Sequence, residues 1–356
     1  MDSLTQAALG AGICGAMLGR YHGRKAVVAG ALLGTLPDLD VVIQYADPVS
    51  AMIHHRGFSH SLLVLTALSL VLTMLMRRWR PSPQYGAQRL FWTIWLVLIT
   101  HPLLDAFTAY GTQLMWPMRP TPTAWSSLFI IDPFFTTPLT LAVLIALIAG
   151  PGPRTLRAMR WTLGWCCIYI AASIVFKSIV ESRVREALEG DGVHVQAMFS
   201  TPQPFNILLW RVVARGPDDH YYESTTSVLD NHPPHWLQQP LNNHLLASIP
   251  PSYQLDGLRW FSGDWLRYDD IQGHLVVSDL RMGLGAGFYS FRFLFGRRAS
   301  SSDNWTLEPP EFWPGERGLS ELKAVLNRVW SATPALPQAD WAQRMTQLPA
   351  SIASDQ

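Results

Sequence analysis

The chain has 356 residues, of which 49% are hydrophobic and 15% charged, and its mean hydropathy is +0.12. That composition points to a protein with a membrane half, and the length leaves room for two domains at roughly 150 residues each. A formal net charge of +1 argues for no particular polyanionic partner, and no nucleic acid is expected. The three cysteines, Cys14, Cys166 and Cys167, lie in apolar runs, which leaves neither a disulfide framework nor a cysteine-based metal motif. Asp2 stands where a secretory leader would be basic, so no cleavable signal peptide is expected.

In chain order, residues 3–19 predict a small-residue apolar helix with Gly15 and Gly19 four apart. Residues 26–36 predict a second, with Gly30 and Gly34 at the same spacing. Small residues at that interval let helix backbones approach closely in lipid. Both segments fall short of the roughly 20 residues of a full span, so they read as a short helical pair within a bundle. Four clear spans are expected at residues 61–76, 90–107, 128–149 and 161–180. From Val193 the pattern changes to short strand-like runs at 193–199, 207–214, 221–228, 259–267, 274–280 and 288–295, separated by Gly, Asp, Asn and Pro. A polar tail from about Asp340 reads as loose helix or coil.

Charge divides the chain in two. Residues 1–180 hold no glutamate and six aspartates, Asp2, Asp38, Asp40, Asp47, Asp105 and Asp132; every glutamate comes from Glu181 onward. The expected architecture is therefore a membrane α-helical bundle, 1–181, followed by a β-rich extramembrane domain, 182–356. The loops at 20–25, 77–89 and 154–160 carry ten Lys or Arg, which places them in the cytoplasm. Alternating the six segments then puts all six aspartates, His54, His55, His60, His101 and the β domain on the opposite side, the periplasm in a Gram-negative host.

Three motifs converge on that side: Leu36-Pro37-Asp38-Leu39-Asp40, His55-Arg56-Gly57-Phe58-Ser59-His60-Ser61, and His101-Pro102-Leu103-Leu104-Asp105. Imidazoles and carboxylates at membrane depth are a functional site by default. His101 and Asp105, four apart, share one helical face and can act as two ligands or as a ligand with its orienting carboxylate. His55, His60, His101, Asp105 and Asp38 form the expected metal set. Asp38 and Asp40 are candidates for ligand or general base. Arg56 is either a snorkelling interfacial residue or a phosphate clamp. Nitrogen and carboxylate ligands suit a divalent ion, zinc first, with manganese or iron also compatible. Asp2 and Asp132 could cap helices; Asp47 reads as a solvated loop residue. His232 and His235 lack a helical context for ligation, and Tyr221, Tyr222, Asp279 and Arg281 read as surface or packing residues.

Those motifs, together with Met1-Asp2-Ser3-Leu4-Thr5-Gln6, resemble the YdjM-like family, bacterial inner-membrane proteins described as LexA-regulated, membrane-bound, metal-dependent hydrolases. The resemblance covers residues 1 to about 180, and the β domain marks a longer form. It implies hydrolase activity with the His and Asp motifs as the site. Many relatives carry His where Gln6 stands, so a metal position used elsewhere is altered here. A remoter likeness to zinc phospholipase C and related nucleases implies phosphoester substrates. The expected function is hydrolysis of a phosphoester or ester in a membrane lipid or amphiphile. The rival is a non-enzymatic ion-binding or transport protein using the same cluster.

Overall fold

The computed structural model describes residues 1–285, 288–300, 303–315, 319–349 and 352. The chain divides into two compact units: residues 1–44 with 55–173, and residues 45–54 with 174–356.

Helix α1, Ser3–His22, starts where the Asp2 carboxylate accepts from Thr5 N at 3.0 Å, so Asp2 is the cap its type suggested. After Gly23, at φ 62°, α2 runs Arg24–Gly34. The two pack backbone to backbone. A Cβ on Gly30 would fall on the Gly10 carbonyl, and one on Gly34 would lie 2.6 Å from the Gln6 carbonyl oxygen. Gly30 and Gly34 thus serve the pair as their spacing predicts. Gly15 and Gly19 chiefly serve a later helix. Their Cβ atoms would meet Met159 Sδ at 2.7 Å and Leu156 Cδ2 at 2.9 Å, although one on Gly15 would also meet Val27 Cγ2 of α2 at 3.3 Å.

A 3₁₀ turn at Pro37–Val42, helix α3 at Pro48–His54 and a second 3₁₀ turn at Phe58–His60 lead into α4, Leu62–Trp79. Asp47 is not solvated: it is buried and accepts from Ser50 N and Oγ, both at 2.7 Å, capping α3. Helix α5 is Ala87–Ala106, α6 is Pro133–Ala149 and α7 is Pro153–Gly190. Asp132 caps α6 through Phe134 N and also accepts from the Tyr169 hydroxyl at 2.8 Å.

Among the described residues, α4 and α7 are long and apolar enough to cross a membrane. The face of α4 carries exposed Leu63, Leu70, Val71 and Met74, which suits lipid better than water. Of the four spans expected, the other two fall short of that test. Helix α6 has 17 residues, and α5 carries Arg89, His101 and Asp105. Helix α7 does not stop at residue 180. Its 38 residues, about 57 Å at 1.5 Å each, outrun a hydrocarbon layer of roughly 30 Å. Beyond Glu181 the composition turns charged, yet Val180, Val184 and Leu188 keep a helical stripe that is buried against Val195, Trp210 and Val212.

The second unit holds two four-stranded antiparallel sheets in sequential order. The first comprises β1 Ala197–Pro202, β2 Leu209–Arg215, β3 His220–Ser227 and β4 Trp236–Pro240. The second comprises β5 Leu266–Ile271, β6 His274–Asp279, β7 Arg292–Arg297 and β8 Thr306–Phe312. The run 259–267 is not one strand. Ser252 caps α8, Tyr253–Ser262, whose Leu255, Leu258 and Phe261 are buried at helical spacing, and Gly263 at φ 64° ends it. Strands β4 and β8 lack an apolar alternation and were not anticipated. Helices α9, Leu319–Arg328, and α10, Gln338–Met345, follow. The expected loose tail is packed here, with Trp341 and Met345 buried; residues 350, 351 and 353–356 lie outside the described residues.

Candidate metal centre

Four side chains from three separate stretches meet in the first unit. Asp38 comes from the turn after α2, His60 from the turn before α4, and His101 and Asp105 from α5. One ligand atom from each lies within 4.8 Å of every other. His101 Nε2 is 3.2 Å from Asp38 Oδ1 and 3.5 Å from Asp105 Oδ2. His60 Nε2 is 3.2 Å from Asp105 Oδ2 and 3.5 Å from Asp38 Oδ1.

The outward nitrogens fix the ring tautomers. His101 Nδ1 lies 2.6 Å from the Gly34 carbonyl oxygen, which can only accept, so Nδ1 carries the proton. Ser59 Oγ donates to Asp40 Oδ2 at 2.8 Å and is left to accept from His60 Nδ1 at 2.9 Å. Both Nε2 lone pairs therefore point to the centre. His60 Nε2 and Asp105 Oδ2 are buried there without a hydrogen-bond partner. Buried polar atoms are rarely left so. Two nitrogens and two carboxylates around a shared point fit a divalent cation.

The other predicted residues surround this group. Asp40 faces away from it and accepts three bonds: His55 Nδ1 at 3.0 Å, Arg56 N at 3.0 Å and Ser59 Oγ. His55 stands outside the four-atom group, its ring centroid 6.0 Å from that of His60 and its side chain 30% exposed. Arg56 is buried at φ 60°, a backbone state that L side chains seldom adopt. Its Nη2 pairs with Asp105 Oδ1 at 3.3 Å, its Nη1 donates to Thr108 Oγ1 at 3.3 Å, and its guanidinium lies over Tyr110. Asp105 Oδ1 also accepts from Gln6 Nε2 at 3.2 Å and from the Met1 amine. Gln6 thus braces Asp105 and the His101 carbonyl, 3.1 Å away, rather than offering a ligand atom to the group. His54 turns elsewhere, bonded to Ser50 O and stacked on Tyr45. His232 and His235 are remote in sequence and share no metal-competent group among the described residues.

Burial pushes the Asp38 and Asp40 carboxyls up. Before a cation binds, when Nε2 of His101 and His60 can carry a second proton beside Asp38, these imidazoles, and the bonds to Asp40 from His55, Ser59 and Arg56 N, outweigh it and hold both below the usual carboxylate range. Burial lowers His60, but the Asp105 and Asp38 carboxylates prevail and hold it above the ordinary imidazole range. Such an elevated histidine gives up its proton when a cation takes Nε2.

Sequence reasoning missed Ser59, Thr108 and the Gly34 carbonyl. Ser59 was inside the quoted motif, and Thr108 lies three residues beyond Asp105, so both were within reach. A backbone carbonyl leaves no side-chain signal.

The model for the YdjM inner membrane protein family matches residues 1–180, half of the chain and all of these ligands. The chain belongs to that family. Two curated relatives match as well. The uncharacterized protein YfhP of Bacillus subtilis (strain 168) is 26% identical over 169 residues, 46% of this chain and 50% of that protein. The inner membrane protein YbcI of Escherichia coli (strain K12) is 31% identical over 93 residues, 26% of this chain and 52% of YbcI. The chain thus spans about half the length of the curated relatives it matches. No solved structure matches. Membership of the YdjM family places the helical half in the inner membrane, in keeping with the apolar exposed faces of α4 and α7.

Proposed function

We propose that this YdjM-family protein is a membrane-bound hydrolase that holds a divalent metal through Asp38, His60, His101 and Asp105. It cleaves a phosphoester or ester of a lipid or amphiphile at the outer face of the inner membrane. The observation that carries this reading is the convergence of two pre-set Nε2 lone pairs with an unpartnered Asp105 oxygen. Zinc suits such a set best, and manganese and iron share its ligand preferences. When bound there, the ion would lower the pKa of a water ligand and polarise a phosphoryl or carbonyl oxygen.

The chain's own residues divide the remaining work. Asp40 orients His55 through Nδ1, leaving His55 Nε2 to hold or deliver a proton at the half-exposed side of the group. Arg56, already engaged with Asp105 and Thr108, positions Asp105 rather than gripping substrate. The reading of a lipid substrate rests on the turns themselves. Leu39 at 58%, Val41 at 67%, Val42 at 76% and Phe58 at 48% exposure sit beside the ligands and would lie among acyl chains. A headgroup could then reach the site without its lipid leaving the bilayer. The periplasmic side is supported by the ten basic residues in the alternate loops.

Elemental analysis of purified wild type beside the His60→Ala, His101→Ala double variant tests the reading. Stoichiometric metal in the wild type, lost in the double variant, is expected, with hydrolysis of phospholipid or nitrophenyl phosphoester substrates following the metal. A metal-free wild type sinks the proposal. Metal without turnover across that panel favours ion binding or transport instead.

A further inference from the structure

The second unit contains a cavity of about 200 Å³, bordered by β7, the loop after β8 and the end of α10. Its wall carries Arg292, Arg344, Trp313 and Gln347, which are hydrogen-bond donors, with Tyr289 and Leu348 as apolar flanks. Among the described residues, no Asp or Glu lines it.

Arg292 is the informative residue. Among the described residues, this unit buries five arginines, and four of them have a carboxylate within ion-pair distance. Arg211 pairs with Glu223, Arg267 with Asp269, Arg281 with Asp279 and Arg328 with Asp230. Arg292 has none. It donates to Ser278 Oγ at 3.1 Å and to the Met345 carbonyl at 2.7 Å, both neutral acceptors. Burial brings its pKa down to about 10, opposed by Asp269 and reinforced by Arg267. An uncompensated guanidinium in a protein interior is costly. On the same wall, the buried Trp313 indole Nε1 has no hydrogen-bond partner. Arg292, which lacks a carboxylate partner, and Trp313 thus border one cavity that has an apolar flank, the arrangement of a site built for an anion with a small organic body.

We propose that this cavity binds a compact oxyanion, a phosphate group on a small molecule or headgroup. Arg292 supplies the buried charge, Trp313 Nε1 a donor, and Arg344, at the rim, 54% exposed and paired with Glu321 Oε1 at 3.2 Å, a second charge shared with that carboxylate. All of its lining residues belong to the second unit.

Calorimetric titration of the detergent-solubilised full chain tests this, using inorganic phosphate, glycerol 3-phosphate and glycerophosphoglycerol as probes. The His60→Ala, His101→Ala background removes any binding at a metal centre. One phosphate probe bound per chain is expected in that background, weakened about tenfold by Trp313→Phe, which keeps the ring and deletes only the donor. Arg344→Gln weakens it several-fold, and the loss grows smaller in high salt. Preference for glycerol 3-phosphate marks a free metabolite, and preference for glycerophosphoglycerol a lipid headgroup; either supports the site. A folded protein that binds none of the three up to roughly 10 mM overturns the proposal, because a charge-assisted pocket should be detectable there. So does binding that is indifferent to both substitutions.

Discussion

At the scale of single residues, the site separates groups that meet at the centre from groups that aim them. Asp40 makes the distinction testable. Its oxygens are occupied by His55, Arg56 N and Ser59, and it is absent from the four-residue group. Asp40→Asn keeps the shape but replaces one accepting oxygen with a donor, so the His55 ring and the Ser59 hydroxyl lose a common anchor. Orienting partners of metal ligands typically matter by 10–100-fold in affinity or rate. Asp40→Asn is expected to retain metal by elemental analysis while turnover on the phosphoester panel falls by roughly that factor. Loss of the metal itself would make Asp40 part of the binding group. Asp105→Ala should behave oppositely, with the metal lost and buried Arg56 left unpaired. The motifs were legible at this scale because histidine and aspartate stand out in an apolar stretch. Which of them face inward was not legible. That depends on Gly34, Ser59 and the left-handed backbone at Arg56, none of which a spacing argument reaches.

At the scale of elements, the glycines of α1 and α2 decide how near Gly34 comes to His101. Gly30→Val would press a branched side chain onto the Gly10 carbonyl and Cys14 Cβ. Overpacking of this kind costs about 1–3 kcal/mol. The helices should part, the Gly34 carbonyl should leave His101 Nδ1, and metal affinity should fall together with the melting temperature in detergent. Gly164→Ala is the control, because its Cβ meets nothing within 4 Å. Metal affinity unchanged in Gly30→Val would show that the α1–α2 contact does not position the ligands.

A second element-scale device lies in the β-rich unit, where α9 is tied to the segment after β3. Arg328 Nη1 and Nη2 grip both Asp230 oxygens at 2.9 and 2.5 Å, and Ser227 N donates to the same carboxylate at 2.8 Å. Burial pushes Asp230 up, but Arg328 and the Ser227 and Thr226 bonds outweigh it and hold the carboxyl below its ordinary value. A depressed carboxyl contributes stability that is complete above its unfolded pKa, near 3.9, and is lost as pH falls through the folded value. Asp230→Asn should therefore lower the melting temperature of the β unit at neutral pH, by a cost of about 3 kcal/mol for an unpaired buried Arg328. The difference from wild type should shrink as pH drops below about 4. A difference that stays constant into acid would remove Asp230 as the origin of that pH dependence.

At the scale of the molecule, composition marked where the chemistry of the chain changes but not where its conformation does. Glutamates begin at Glu181, inside α7, and the helix continues to Gly190 because the Val180, Val184 and Leu188 stripe is still satisfied by the β unit's core. The strands with clear apolar runs were readable, whereas β4 and β8 owe their conformation to neighbours: β4 pairs with β3 and β8 with β7. The same long helix makes sidedness a property of the whole protein. A continuous α7 joins the span to the β unit, so fixing one end of the span fixes the side of everything after it. The basic loops at 20–25, 77–89 and 154–160 carry ten Lys or Arg, against Arg56 and Arg119 in the alternate loops. If the basic loops stay in the cytoplasm, as the positive-inside rule disposes them, the expected outcome is that residue 190 emerges on the periplasmic face. An alkaline phosphatase fused after Gly190 should be active in intact cells, and a fluorescent reporter that matures only in the cytoplasm should be dark at the same position. Replacing Arg154, Arg157 and Arg160 with glutamine should reduce the phosphatase signal by weakening that anchor. A dark phosphatase beside a bright fluorescent reporter would move the metal group and the β unit to the cytoplasmic side, and with them the substrate lipids to the inner leaflet.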